Sequence, residues 1–141
     1  MKFSSKSRYG LNAMYHLALK NSTEYVSLTE LAKITNISQS FLEKVMGILK
    51  KNRLIDANRG VQGGYRLVNR PESITVGQVV RALEGHVIFS DCTRSSNCNN
   101  FNCPNKGVYR VIYNKLNAVL DEITIQDMID NKGEILWKRF I

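Results

Sequence analysis

Apolar residues recur at helical spacing on both sides of a short interruption between residues 27 and 53. Ser27, followed three residues later by Glu30, matches a capping box, in which the two side chains satisfy backbone amides at a helix start. The buried stripe of this first helix is then formed by Leu28, Leu31 and Ala32. The pattern breaks at residues 35–37, so this helix is predicted to be short.

A second helix is predicted to begin directly after the break. Ser38 is a preferred N-cap residue, and Ile37 and Leu42 are spaced as a hydrophobic staple. At about 100° per residue, one side of this helix is apolar, with Phe41, Leu42, Val45, Met46 and Leu49. The other side is polar and basic, with Ser40, Glu43, Lys44, Gly47 and Lys51. Two such helices predict a helix-turn-helix that reads a DNA major groove, although a helical hairpin with a solvated face has the same local pattern.

Two short strands are predicted downstream, at residues 54–59 and 65–68, around the glycine-rich segment 60–64. A hairpin after a recognition helix indicates a wing, whose arginine suits a phosphate or a narrow minor groove. A plain hairpin with an exposed arginine is the alternative. The predicted DNA contacts are Ser38, Gln39, Ser40, Glu43, Lys44 and Lys51 of the second helix and Arg59, Gly60 and Gln62 of the wing.

Three further helices are predicted around this unit. An N-terminal helix begins near Ser5 or Ser7, and Thr75 with Gln78 gives a second capping box ahead of a helix that stops at residues 84–86. From Lys106 an apolar stripe continues to Leu120 and is longer than a domain of this size needs internally, which implies a partner helix. A last short helix has Thr124 as its cap, with Asp127 three residues on. The predicted fold class is therefore mainly α, with a small two-stranded wing.

Length and charge limit the number of domains and the kind of binding partner. The chain has 141 residues and 43% hydrophobic content, so it can bury one core, or form one domain with an appended dimerisation element. Its formal net charge of +8 indicates a polyanionic partner. Residues 1–85 hold 13 Lys and Arg against 6 Asp and Glu, whereas residues 86–141 hold 7 against 6. The excess positive charge therefore accompanies the helix-turn-helix, as expected for a protein that binds double-stranded DNA. No apolar run approaches a membrane span and no secretory signal follows Met1, so we expect a cytoplasmic protein without a membrane partner.

Three cysteines, Cys92, Cys98 and Cys103, lie within one loop-like stretch. An odd number so closely spaced argues against a disulfide framework and favours a metal or redox site. Thiol sensing and a structural zinc ion remain open alternatives.

An enzyme is not expected, because the chain lacks nucleophile-elbow, phosphate-loop and zinc-protease motifs. Its two histidines, His16 and His86, lie far in sequence from paired carboxylates. A catalytic pair of His86 and Cys92 is the remaining enzymatic hypothesis, and it would leave the wing and the charge asymmetry without a purpose.

Several separated motifs resemble one family in its own order. MKFSSKSRYGLNAM, ISQSFLEKVMGILKKNRLI, RGVQGGYRL, ITVGQVVRALEG and ITIQDMI are similar to the Rrf-two family of bacterial winged helix-turn-helix regulators, over residues 1 to about 130. The resemblance implies a homodimer with a DNA-binding domain at 1–85, a cysteine-bearing loop at 86–105, and a dimerisation helix and C-terminal segment at 106–141. It also implies a transcriptional regulator, with the role of repressor expected here.

Within that family, the IscR-like branch holds an iron-sulfur cluster on three loop cysteines, which implies that Cys92, Cys98 and Cys103 are cluster ligands. The last cysteine interval is one residue shorter than is usual there, and the positions of the family's fourth ligands hold Lys106 and Arg8, neither of which can ligate. Asp91, His86, Asn12 of the partner subunit, or an exogenous thiol or water are the remaining candidates. A 2Fe-2S cluster is favoured over 4Fe-4S. The alternative within the family is a cluster-free regulator of cysteine or sulfur metabolism, with the cysteines as thiol sensors, or a zinc-stabilised regulator.

Overall fold

The computed structural model describes residues 2–20, 23–87 and 102–131. In that part of the chain there are six α-helices and one antiparallel hairpin, which confirms the predicted mainly helical winged fold. The helices are α1 (Ser5–Ala18), α2 (Leu28–Thr35), α3 (Gln39–Lys51), α4 (Val76–Glu84), α5 (Asn105–Glu122) and α6 (Ile125–Asn131). The strands are β1 (Ile55–Asn58) and β2 (Gly64–Leu67), and a short 3-10 turn spans Pro71–Ser73.

Helix α1 lies at the centre of the core and packs against α2, α3, α4, α6 and β2. Gly10 allows the close approach of α4, because a Cβ atom there would collide with the side chain of Leu83. The apolar face of α3 is buried as predicted, with Leu42, Val45, Met46 and Leu49. Phe41 is half-buried and packs edge-on against Tyr9, with 5.5 Å between ring centroids. Burial of four large side chains fixes the rotation of α3 about its axis.

The start of α2 differs in part from its prediction. Ser27 Oγ accepts a hydrogen bond from the Glu30 amide at 3.1 Å, as a cap should. The Glu30 carboxylate lies instead 3.1 Å from Lys20 Nζ, so this ion pair replaces the reciprocal half of the expected capping box. Lys20, two residues after the end of α1, is close enough to attract the carboxylate away from the start of α2.

The turn between α2 and α3 is fixed by the backbone. Asn36 adopts the left-handed conformation with φ of 55°, which asparagine tolerates better than most residues. The Ile37 amide donates to the Ala32 carbonyl at 3.2 Å across this turn. Ser38 begins α3 with extended backbone angles, but within the described residues its side chain caps no amide, contrary to expectation. Asn36 therefore ends α2, while Ser38 keeps the N-cap position of α3 without a capping side-chain hydrogen bond.

Helices α5 and α6 are joined to the N-terminal part by hydrogen bonds and packing. The capping boxes predicted at Thr75 with Gln78 and at Thr124 with Asp127 are both present. The Val76 amide donates to the Ile123 carbonyl at 2.8 Å, beside an antiparallel bridge between the two threonines. Ile125 of α6 is fully buried in the same core cluster as Met14 of α1.

Helix α5 lies against α4 along one of its sides. Arg81 donates to Asn117 Oδ1 at 3.1 Å and pairs with Asp121. Leu120 is buried beside Val80. Leu120 of the predicted apolar stripe therefore packs against α4. Four other members of the stripe are exposed: Val108, Val111, Ile112 and Val119.

The start of α1 is tied to the end of α4 by Glu84. Its Oε1 accepts hydrogen bonds from the Ser4 amide at 2.8 Å and from the fully buried Ser7 hydroxyl at 2.7 Å. Hydrogen bonds from Ser4 and Ser7 hold the pKa of Glu84 below its ordinary value of 4.5. The folded state therefore prefers the ionised carboxylate.

We expect Glu84→Ala to lower the free energy of unfolding at pH 7 by about 1 kcal/mol, because the buried Ser7 hydroxyl loses its acceptor. A depressed folded pKa stabilises the fold above the ordinary value of 4.5, and this contribution disappears as the pH falls through the folded value. Glu84→Gln keeps an acceptor without the charge, so its stability should fall less steeply in acid than that of the wild type. Chemical denaturation at pH 7 and below pH 4.5 measures both; parallel curves for wild type and Glu84→Gln would contradict the assignment.

Candidate nucleic-acid interface and cysteine site

The outward surface of α3, the candidate reading surface, carries the residues predicted to contact bases and phosphates of DNA. All six are exposed: Ser38, Gln39, Ser40, Glu43, Lys44 and Lys51. Gly47 lies in the middle of this surface, and a Cβ atom added there would meet nothing within 4 Å. Hydrogen-bonding side chains therefore surround a low centre, which lets a base-pair edge approach the helix.

The N-terminal end of α3 is connected to α2 through polar side chains. Gln39 Nε2 donates to Thr29 Oγ1 at 3.3 Å, whereas the Thr35 hydroxyl donates within α2, to the Leu31 carbonyl at 2.7 Å. The bond from Gln39 and the left-handed turn hold the two helices in one geometry.

The wing is an antiparallel hairpin in which Asn58 pairs with Gly64 and Ile55 pairs with Leu67. Its tip is closed by a hydrogen bond from the Gly63 amide to the Gly60 carbonyl at 3.0 Å. Gly60 has φ of 117°, which side chains rarely tolerate. The predicted DNA contacts of the tip are all exposed: Arg59, Gly60 and Gln62.

A third backbone segment fixes the hairpin to the body of the protein. Val26 and Tyr65 exchange two backbone hydrogen bonds, at 2.9 and 2.8 Å. Gly64 makes this approach possible, because it has φ of 148° and an added Cβ would collide with the Val26 carbonyl. Gly64 therefore lets the start of β2 approach the backbone that precedes α2.

Sequence reasoning also missed a side-chain network on the wing. Tyr25 donates to Asp56 Oδ2 at 2.9 Å, and Arg66 lies 3.5 Å from the same oxygen. The Arg66 guanidinium also covers the Tyr25 ring at 4.6 Å. The hydrogen bond from Tyr25 is the main cause of the lowered pKa of Asp56, and the same bond raises the pKa of Tyr25. The alternation of β1 indicates that Asp56 faces away from the core, but its partner lies 31 positions earlier.

Tyr65 of β2 interacts electrostatically with Glu43 of α3. Burial raises the pKa of Tyr65, and the negative charge of Glu43 raises it further. The Glu43 carboxylate therefore lies near enough to β2 to act on the Tyr65 hydroxyl. A carboxylate at this position is suited to accept a hydrogen bond from a cytosine amino group.

One of the three cysteines, Cys103, lies in the described part of the chain. It is a free, partly exposed thiol two residues before α5 begins. Its carbonyl accepts a hydrogen bond from the Lys106 amide at 3.2 Å. Cys92 and Cys98 lie outside the described residues, and within residues 2–20, 23–87 and 102–131 no group of three His, Cys, Asp or Glu side chains is arranged to hold a metal ion.

The polar reading helix, the rigid turn before it and the anchored hairpin after it define a winged helix-turn-helix protein of the DNA-binding class. Residues 3–131 match the model of the Rrf2 family, which is described as an iron-dependent transcriptional regulator. The chain belongs to this family of transcriptional regulators, as its motifs predicted.

Two curated relatives are regulators named IscR. The protein of Klebsiella pneumoniae (strain 342) is 34% identical over 137 residues, which cover 96% of this chain and 83% of the relative. The protein of Escherichia coli O1:K1 / APEC is 32% identical over 133 residues, which cover 94% and 82%. The similarity therefore extends over nearly the whole chain.

The fold is also similar to those of solved regulator structures. The T. potens IscR structure has a TM-score of 0.76 at 33% identity, covering 96% of this chain and 91% of that one. The structure of CymR, the global cysteine regulator of B. subtilis, has a TM-score of 0.76 at 31% identity, covering 91% and 95%. The expectation of a regulator rather than an enzyme is confirmed by the family. In the described part of the chain, no helix combines the length and apolar character that a membrane span requires.

We expect Glu43→Gln to change which sequences are bound, because a carboxylate accepts hydrogen bonds where an amide both donates and accepts. Base-edge contacts carry about 1 to 3 kcal/mol of discrimination each. Selection from a random duplex pool, performed in parallel with wild type and variant, measures the change. Recovery of the same preferred sequence by both proteins would remove Glu43 from the reading surface.

Arg59→Ala should weaken binding to preferred and random duplexes by the same factor. The exposed guanidinium at the wing tip is suited to phosphates, whose contacts carry no sequence information. The slope of log K against log salt should shrink by about one unit. An unchanged slope, or a loss confined to the preferred sequence, would contradict this role.

Proposed function

We propose that this protein is a homodimeric transcriptional repressor whose operator affinity depends on an iron-sulfur cluster bound by Cys92, Cys98 and Cys103. Each subunit reads one half-site of a double-stranded DNA operator with α3 and the wing. The DNA contacts are those named from the sequence, and each is exposed on one of these two elements.

The observation that carries the cluster assignment is the free, partly exposed thiol of Cys103 directly before α5. A thiol at this point can act as a ligand without disturbing the hydrophobic core. Thiolates are the ligands that iron-sulfur clusters require, and three of them lie within one short stretch of this sequence. The iron dependence in the family description and the relatives named IscR support the same assignment.

When bound, the cluster supplies a redox-sensitive centre. We favour 2Fe-2S over 4Fe-4S, because the chain follows the IscR-like pattern over most of its length. The candidates for a fourth ligand within the described residues are His86, which is exposed just beyond α4, and the half-buried Asn12 of α1, supplied by the partner subunit. Asp91 is a further candidate and lies outside the described residues. An exogenous thiol or water completes the set.

The exposed side of α5 supports the homodimer. Val108 and Val111 are 57% and 56% exposed, and Val119 is 41% exposed. Aliphatic side chains aligned on one helix lose contact with water when a second copy of the helix covers them. In this arrangement the cysteine stretch leads directly into the dimerisation helix, so ligand binding there is linked to the relative pose of the two wings.

A cluster-free regulator of cysteine or sulfur metabolism is the second candidate. It is favoured by the similarity to CymR, which is a cysteine regulator in B. subtilis, and to the oxidized form of Staphylococcus aureus CymR at 34% identity and a TM-score of 0.72. In that case the thiols themselves would be oxidised. A zinc ion on the same cysteines is the third candidate.

We expect anaerobically purified protein to show visible charge-transfer bands together with iron and sulfide. Replacing all three cysteines by Ala should remove these bands and leave a folded dimer, because the described thiol lies outside the core. Operator affinity would be measured for wild type with the cluster, wild type after cluster removal, and the triple variant. The last two should agree, since both lack the same group.

Each outcome separates the candidates. Loss of the fold or the dimer in the triple variant, with zinc in the wild type, would favour the zinc-stabilised regulator. Colourless protein whose affinity changes upon thiol oxidation would favour the cysteine-based sensor.

A further inference from the structure

An open groove of about 660 Å³ lies between the C-terminal end of α3 and the base of the wing. Its polar lining is predominantly basic, and consists of Lys50, Arg53, Asp56, Arg66, Asn69 and Arg70. None of these cations was among the DNA contacts predicted from the sequence. The groove lies at the end of the hairpin opposite the wing tip.

The positive charge in this groove is largely uncompensated. Asp56 already accepts hydrogen bonds from Tyr25 and from its neighbouring amide, and it pairs with Arg66. Across residues 2–20, 23–87 and 102–131, Arg53 and Arg70 form no ion pair. Cations held close together without counterions attract an external anion.

Arg53 occupies a position that is usually glycine. Its φ of 58° is left-handed, and it lies just after the end of α3. Its amide donates to the Lys50 carbonyl at 2.9 Å, and the Leu54 amide donates to the Leu49 carbonyl at 3.1 Å. This pair of bonds is a Schellman motif, in which the left-handed residue is commonly glycine because it has no Cβ. An arginine there strains the backbone, which suggests that its guanidinium has a use.

We propose that this groove binds phosphate oxygens of the DNA backbone beyond the base pairs that α3 reads. Lys50 follows Glu43 by seven residues, so it lies on nearly the same side of α3, about 10 Å further along the axis. Arg53 and Arg70 extend this basic surface from the helix to the base of the wing. The proposal rests on the proposed DNA-binding function and lengthens the footprint of each subunit.

Two features favour DNA over an acidic protein segment as the occupant. The groove includes Lys50, next to Lys51 of the reading surface, so a duplex on α3 already brings phosphates near Lys50. Arginine side chains also form paired hydrogen bonds with phosphate oxygens, which compensates for holding two of them in one groove.

The test uses Arg53→Asn and Arg70→Gln, singly and together. Asparagine tolerates the left-handed conformation, so Arg53→Asn removes the charge while the melting temperature stays equal or rises. The probe is the duplex selected by wild type from a random pool, prepared in two lengths: trimmed to the half-sites, and extended by about one helical turn at each end. On the extended duplex, each change should reduce the salt slope by about one unit and the affinity by about fivefold at physiological salt.

The trimmed duplex and a charge control define the alternatives. Wild type and variants should bind the trimmed duplex with the same affinity. Arg110→Gln removes one exposed charge from α5, outside the proposed DNA-binding elements, and should leave the affinity for both duplexes unchanged. Equal binding of the extended duplex by wild type and the double variant would overturn the proposal; retention of wild type alone by poly-aspartate would then identify an acidic protein partner. Failure of wild type itself to bind DNA would instead contradict the proposed function.

Discussion

The rotation of one helix about its own axis is the constraint on which the interface depends. Four large side chains of α3, from Leu42 to Leu49, are buried against the core, and the free energy of their burial resists any rotation of the helix. The opposite face is consequently held outward with Glu43, Lys44 and open Gly47 in fixed relation. The same burial therefore stabilises the fold and orients the reading surface.

Features that arise from neighbouring residues were predictable from the sequence. The caps at Thr75 and Thr124, the buried face of α3 and the two strands all follow from spacings of a few positions. One local prediction was wrong because a group outside the pattern intervened: Lys20 pairs with the carboxylate of Glu30.

Contacts between distant parts of the chain were not predictable in this way. The Ser7 bond to Glu84 spans 77 positions, and no periodic pattern pairs such residues. The left-handed backbone of Arg53 could not be predicted for another reason. An arginine after a helix ordinarily indicates a favourable charge at the helix C-terminus rather than a strained turn. The candidate reading face could be located from the sequence, whereas the groove beside it required the folded positions of α3 and the hairpin.

The burial of Ile125 has a consequence for how the chain can be dissected. Although α6 follows the exposed helix α5, this side chain fills a space beside Met14 in the central core. A fragment ending at residue 85 would leave that space empty, and loss of a buried isoleucine costs about 2 to 5 kcal/mol. The winged portion and the C-terminal helices thus share one core, and a deletion of the proposed dimerisation helix together with α6 would also weaken the part of the core that holds α3.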